Sequence, residues 1–190
     1  TIVSLELNRH HQGLKGEKFY GARNFTYWRF YLPPGAQLIK AEGFSPEPRG
    51  LFEIPDESDT LDIDLAEIEK DVRLDPISGA RQSLEFGKEV FGLWTILDPG
   101  EIKVLRLTYQ TPSQFILQKD GSTLYRLYLQ KQPGVKPIPL SVNLQFPENF
   151  EILKIAPPEA SQEGNVLHFK GEWKEDMILG AVLKPKVSLP

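Results

Sequence analysis

Nearly every apolar stretch of this chain alternates with a period of two and stops within about ten residues at a proline, a glycine or both. Such segments suit strands with one buried and one solvated face, and they are too short and too interrupted for long helices. Val3, Leu5 and Leu7 alternate with Ser4 and Glu6 as a first strand, and the polar, basic residues 8–23 read as a loop or ragged hairpin. Residues 24–32 (NFTYWRFYL) set Trp28, Phe30 and Leu32 on one face and Tyr27, Arg29 and Tyr31 on the other. Burying Arg29 without a partner is costly, so the Trp28 face is expected to point inward. Pro33-Pro34-Gly35 turns the chain into a third strand over 36–42. Further strands are expected at 82–86 and 89–97 around a Gly87-Lys88 turn, and at 101–109 after Asp98-Pro99-Gly100. Beyond Thr111–Ser113 the pattern resumes at 115–118, 123–130, 139–146, 150–155, 166–173 and 177–183. Trp94 and Trp173 fall inside such runs and are expected in the core.

The spacing predicts an all-β chain of two immunoglobulin-like sandwich domains, residues 1–112 and 113–190. LPPGAQLIKA (32–41) parallels FPENFEILKI (146–155), and LDPGEIKVLRL (97–107) parallels WKEDMILGAVL (173–183) more loosely, so the two halves read as related. One stretch interrupts the first domain. Residues 41–75 hold twelve carboxylates against three basic side chains, a net charge of −9, which leaves +5 for the rest of a chain whose total is −4. This segment reads as an insertion over about 44–80. Within it Leu61, Leu65, Ile68 and Val72 recur at helical spacing and predict one short helix over 61–72.

The residues exclude several chemistries. With no cysteine there is no disulfide framework, thiolate metal site or cysteine nucleophile. Phosphate-loop, dinucleotide and nucleophile-elbow motifs are lacking, so no cofactor is expected. The acidic total gives no bulk electrostatic case for nucleic acid, and no apolar run is long enough to span a bilayer. His10, His11 and His168 are the only histidines and have no third ligand suitably spaced for zinc. Asp59, Asp62 and Asp64 are candidate calcium ligands without EF-hand spacing. Carboxylates of residues 53–75 are the candidates for glycoside hydrolysis, which depends on their separation in space. The alternating Tyr27, Arg29 and Tyr31 form the best binding candidate, a stripe able to stack on sugar rings or pack on a partner. Arg9, Lys15, Lys18 and Arg23, with Tyr20, give the loop 8–23 a local basic character, and Asn24-Phe25-Thr26 is a formal glycosylation sequon.

YWRFYLP (27–33) with the PPGAQLIKAEGF that continues it, GKEVFGLWTILDPGE (87–101) with KVLRLTY, and LYRLYLQKQPG (124–134) resemble segments of bacterial proteins containing domain of unknown function 4012. The resemblance implies the C-terminal, extracytoplasmic part of large proteins that are tethered by an N-terminal membrane helix. It implies a setting in the cell envelope and a link with exopolysaccharide functions, and carries over no catalytic residues. The chain begins at Thr1 and reads as a piece of such a protein. The expected function is therefore a non-catalytic extracytoplasmic interaction or spacer module. The alternative is a carbohydrate-binding module, with a polysaccharide or another envelope protein as partner. A carboxylate-based hydrolase is the third reading.

Overall fold

The computed structural model of the chain describes residues 1–50, 56, 58–60, 62–112 and 115–186. The chain forms two compact units, residues 1–113 and 114–190. Each is built of two antiparallel sheets enclosing its own core.

The first unit contains β1 (Ile2–His10), β2 (Asn24–Leu32), β3 (Gln37–Glu42), α1 (Ile63–Glu69), β4 (Arg73–Leu74), β5 (Arg81–Glu85), β6 (Lys88–Leu97) and β7 (Ile102–Gln110). One sheet has the order β1-β7-β3 and the other β2-β6-β5-β4. Alternation places Leu5, Leu38, Ala41 and Leu107 of the first sheet against Phe30, Leu32, Phe91 and Leu93 of the second. The second unit contains β8 (Phe115–Leu117), β9 (Thr123–Leu129), β10 (Ile138–Gln145), β11 (Phe150–Ala156), β12 (Ser161–Glu163), β13 (Val166–Trp173) and β14 (Met177–Pro185). Its sheets run β10-β13-β12 and β11-β14-β9-β8. Their facing sides supply Leu167 and Phe169 from one sheet and Tyr125, Ile152, Leu179 and Leu183 from the other. In a constant-type immunoglobulin domain the second strand pairs with the fifth; here β2 lies beside β6, and β9 between β14 and β8.

The internal similarity extends to topology. β1, β2, β3, β5, β6 and β7 have the same pairings among themselves as β9, β10, β11, β12, β13 and β14. The turn after β2 closes with Ala36 N–H donating to Pro33 O at 3.2 Å, and the turn after β10 with Phe150 N–H donating to Pro147 O at 3.1 Å. The following strands then shift register at matching places, between Leu38 and Lys40 and between Ile152 and Lys154. The units differ where charge marked an insertion. β3 reaches β5 through residues 43–80, whereas β11 reaches β12 through only 157–160.

Several boundaries depart from the sequence reading. β1 continues to His10, because its ladder with β7 runs unbroken to the pair His10–Ile102, so the loop begins three residues later than expected. The helix covers 63–69, within the expected 61–72; Asp62 caps its start, accepting from Leu65 N–H at 3.0 Å. None of its residues is buried, so the stripe that predicted it covers little. The two-residue turn between β5 and β6 is Phe86-Gly87, one position earlier than expected. Both residues have positive φ, 49° and 71°, as a type I′ hairpin requires. The expected turn would have set Ser83 opposite Gly92 and Glu85 opposite Val90, two positions along β6 on the same face of the sheet. Trp94 and Trp173 are half-buried and outside both cores.

Candidate functional site

The Tyr27–Arg29–Tyr31 stripe lies on the face of β2 opposite Phe30 and Leu32. Register sets it in rows with β6 and β5: Tyr27 opposite Trp94; Arg29, Gly92 and Arg81 in line; Tyr31, Val90 and Ser83 in line. Tyr27 and Trp94 pack with ring centroids 4.9 Å apart and planes tilted by 40°. Gly92 has no side chain between them and Arg81, and the Tyr27 phenol lies over its backbone. A glycine inside a strand marks such a close approach.

The other end of the stripe is anchored by an acid that sequence reasoning missed. Glu85, 5% exposed, accepts from the Ser83 hydroxyl at 2.7 Å, from the Arg29 guanidinium, and from the Tyr31 hydroxyl at 3.2 Å. Arg29 also lies beside the Tyr31 ring, its Cζ 5.5 Å from the centroid. Val90 stands between these groups in the register and is buried. Burial is the largest influence on the Glu85 carboxyl and works to raise its pKa, yet the bonds from Ser83, Arg29 and Tyr31 outweigh it and hold the carboxyl below its ordinary value. Desolvation is also the largest influence on Arg29, working to lower its pKa, but the bond and charge of Glu85 raise it overall. The phenols of Tyr27 and Tyr31 are raised, in both cases chiefly by burial. The result is a charged, hydrogen-bonded lattice that fixes Tyr31, while Tyr27 is held by packing on Trp94 and over Gly92; each tyrosine is more than a third exposed.

The carboxylates of the acidic segment do not converge in the same way. Asp59 accepts from Asp56 N–H at 2.7 Å, Asp62 caps α1, and Asp64 lies in the first helical turn. Glu67 pairs with Lys70, Glu69 with Arg81 at 3.2 Å, and Asp75 accepts from the Ser78 backbone and hydroxyl. Glu53 and Glu57 lie outside the described residues. Among the described residues no three of His, Asp and Glu are grouped as a metal site, so Asp59, Asp62 and Asp64 are not brought together as calcium ligands.

Arg9 closes one end of the first unit. Its guanidinium lies 5.4 Å from the centre of the Trp28 ring and donates to Asn24 Oδ1 and Thr26 Oγ1, both at 3.1 Å. The sequon asparagine is thus engaged by Arg9 and also by the Thr26 hydroxyl, at 2.7 Å. A shallow depression of about 210 Å³ beside it is lined by Arg9, His10, His11, Gln12, Asn24 and Leu97. His11 is a loop strut: Nδ1 accepts from Gly13 N–H at 3.1 Å, which leaves Nε2 to donate to Ala22 O at 2.8 Å. His168 bonds to Asn143 across β13 and β10. No helix among the described residues is long and apolar enough to cross a membrane.

Comparison of the chain with protein-family models, with curated proteins and with solved structures finds no match in any of the three.

Proposed function

We propose that this chain is a non-catalytic interaction or spacer module of an extracytoplasmic bacterial envelope protein, with the outer face of β2-β6-β5 as its contact surface. One observation carries the reading: the Arg29–Glu85–Ser83–Tyr31 lattice anchors the Tyr31 ring while leaving it 45% exposed, beside the packed Tyr27–Trp94 pair. A preorganised face of this kind binds without losing much side-chain entropy. The envelope setting rests on the resemblance of residues 27–44, 87–109 and 124–134 to domain of unknown function 4012. Turnover of any glycan or ester in a broad panel, abolished by one carboxylate substitution, would overturn this reading.

The Tyr27–Trp94 pair favours polysaccharide as the partner, because tilted aromatic rings beside Arg29 and Arg81 suit the apolar faces and hydroxyl rims of sugars. A glycan array tests it. Binding should be lost in the Tyr27→Ala/Tyr31→Ala double variant; an array without hits, or with hits indifferent to the double variant, removes polysaccharide as the ligand.

A further inference from the structure

A second surface has a different chemistry. The loop between β1 and β2 exposes Leu14, Phe19 and Tyr20 by 64%, 85% and 74%. Large apolar side chains this bare, grouped within seven residues, need a reason in a chain with two well-filled cores.

The loop is not loose. Glu17 N–H donates to Leu14 O at 3.0 Å, Leu14 N–H donates to the Glu17 carboxylate at 2.9 Å, and Gly21 N–H donates to Glu17 O at 3.0 Å. Gly13 packs directly against the Tyr20 carbonyl, where a β-carbon would lie 1.8 Å from the oxygen. His11 ties both ends of the loop, and Arg23 forms a bidentate pair with Asp98 in the neighbouring turn. Phe19 has φ of 73°, a conformation that costs a non-glycine residue energy. Since its ring stands in solvent, packing within this chain does not offset that cost.

At the tip two lysines stand against one acid. Lys15 and Lys18 are exposed, and Lys18 Nζ lies 5.8 Å from the Phe19 ring centre. The loop's single acid, Glu17, has its carboxylate turned back onto the Leu14 amide. We propose that this loop is a docking tip for an anionic lipid surface: Leu14, Phe19 and Tyr20 enter the boundary between headgroups and acyl chains, and Lys15 and Lys18 meet the lipid phosphates. A protein partner fits less well. A stable protein interface buries about 800 Å² on each side, more than three protruding side chains provide, whereas a bilayer accommodates a narrow tip without a matching shape. The proposal does not rest on the Tyr27 face and stands whether or not that face binds a ligand.

The test is co-sedimentation of the full chain with vesicles of phosphatidylglycerol and phosphatidylcholine in equal parts, compared with phosphatidylcholine alone. Binding is expected on the anionic vesicles and should weaken with added salt. Phe19→Ala/Tyr20→Ala should reduce it about tenfold or more. Lys15→Glu/Lys18→Glu should reduce it at least twentyfold, since each lysine near an anionic surface contributes about fivefold. Both variants alter exposed side chains and should retain the parent circular dichroism and melting temperature, which controls for misfolding. No binding by the parent chain overturns the proposal and returns the tip to a protein contact. Binding that ignores Phe19→Ala/Tyr20→Ala also overturns it, because the attraction would then be charge alone.

Discussion

The Tyr27 hydroxyl occupies the space over Gly92 where any other residue would place its β-carbon; a β-carbon there would lie 1.9 Å from the phenol oxygen. Gly92→Ala must therefore displace the Tyr27 phenol. The expected cost is about 1–3 kcal/mol, as for overpacking elsewhere, read from the urea unfolding midpoint. In a Tyr27→Ala background the same change should be nearly neutral, because the clash has gone. An equal cost in both backgrounds would mean that the strand, not the tyrosine, demands the glycine.

The anchoring of Glu85 predicts a pH dependence with a definite sign. Its carboxyl lies below the ordinary value of 4.5 in the folded chain. The unfolded chain therefore takes up the proton first, and the stabilisation is complete above about 4.5 and fades as pH falls below it. Asp56, Asp75, Asp98, Asp120 and Asp176 are also lowered, so the parent chain loses stability for several reasons in acid. The difference between parent and Glu85→Gln isolates one of them. That difference should be largest at neutral pH and shrink below 4.5. A difference that stays constant through the acid range would show that Glu85 acts only by its shape.

Trp28 and Thr95 provide a test of burial without charge. The indole Nε1–H donates to Thr95 Oγ1 at 2.9 Å, and Thr95 is fully buried. Thr95→Val keeps the shape and removes the acceptor, leaving a partly buried donor unpaired. The expected loss is about 1–3 kcal/mol by chemical denaturation. Adding Trp28→Phe, which removes the donor as well, should make the valine substitution cost much less.

Much of this architecture is legible in the sequence because alternation is a local signal. β2 and β13 begin and end where the period of two says they should, and Arg29 correctly assigns the faces of β2. The two-residue strand β4 and three-residue strand β12 are too short to display any period, and only their partners β5 and β13 define them. The stripe at Tyr27, Arg29 and Tyr31 is also visible in sequence. Its anchor is not, because Glu85 lies 56 residues from Arg29 and reads as one more exposed strand carboxylate. Gly92, alone in the middle of the apolar run EVFGLWTIL, was the available signal that something large lies across that strand. Trp94 misleads for a related reason: the strand that carries Phe91 and Leu93 inward must carry Trp94 to the opposite face.

The repeated topology predicts that equivalent core positions carry equivalent weight. Leu107 on β7 and Leu183 on β14 align in LDPGEIKVLRL and WKEDMILGAVL, and each is almost wholly buried in its own unit's core. Leu107 pairs with Leu5 and Ala41 across its sheet, and Leu183 with Thr123 and Ile152 across its own. Leu107→Ala and Leu183→Ala should each cost about 2–5 kcal/mol, the range for a leucine cavity that does not collapse. Hydrogen exchange separates the two effects. Leu107→Ala should accelerate exchange most in β1, β7 and β3, and Leu183→Ala most in β9, β14 and β11. If the acceleration spread evenly over both sets of strands in either variant, the two cores would not be the separate cooperative units that their packing describes.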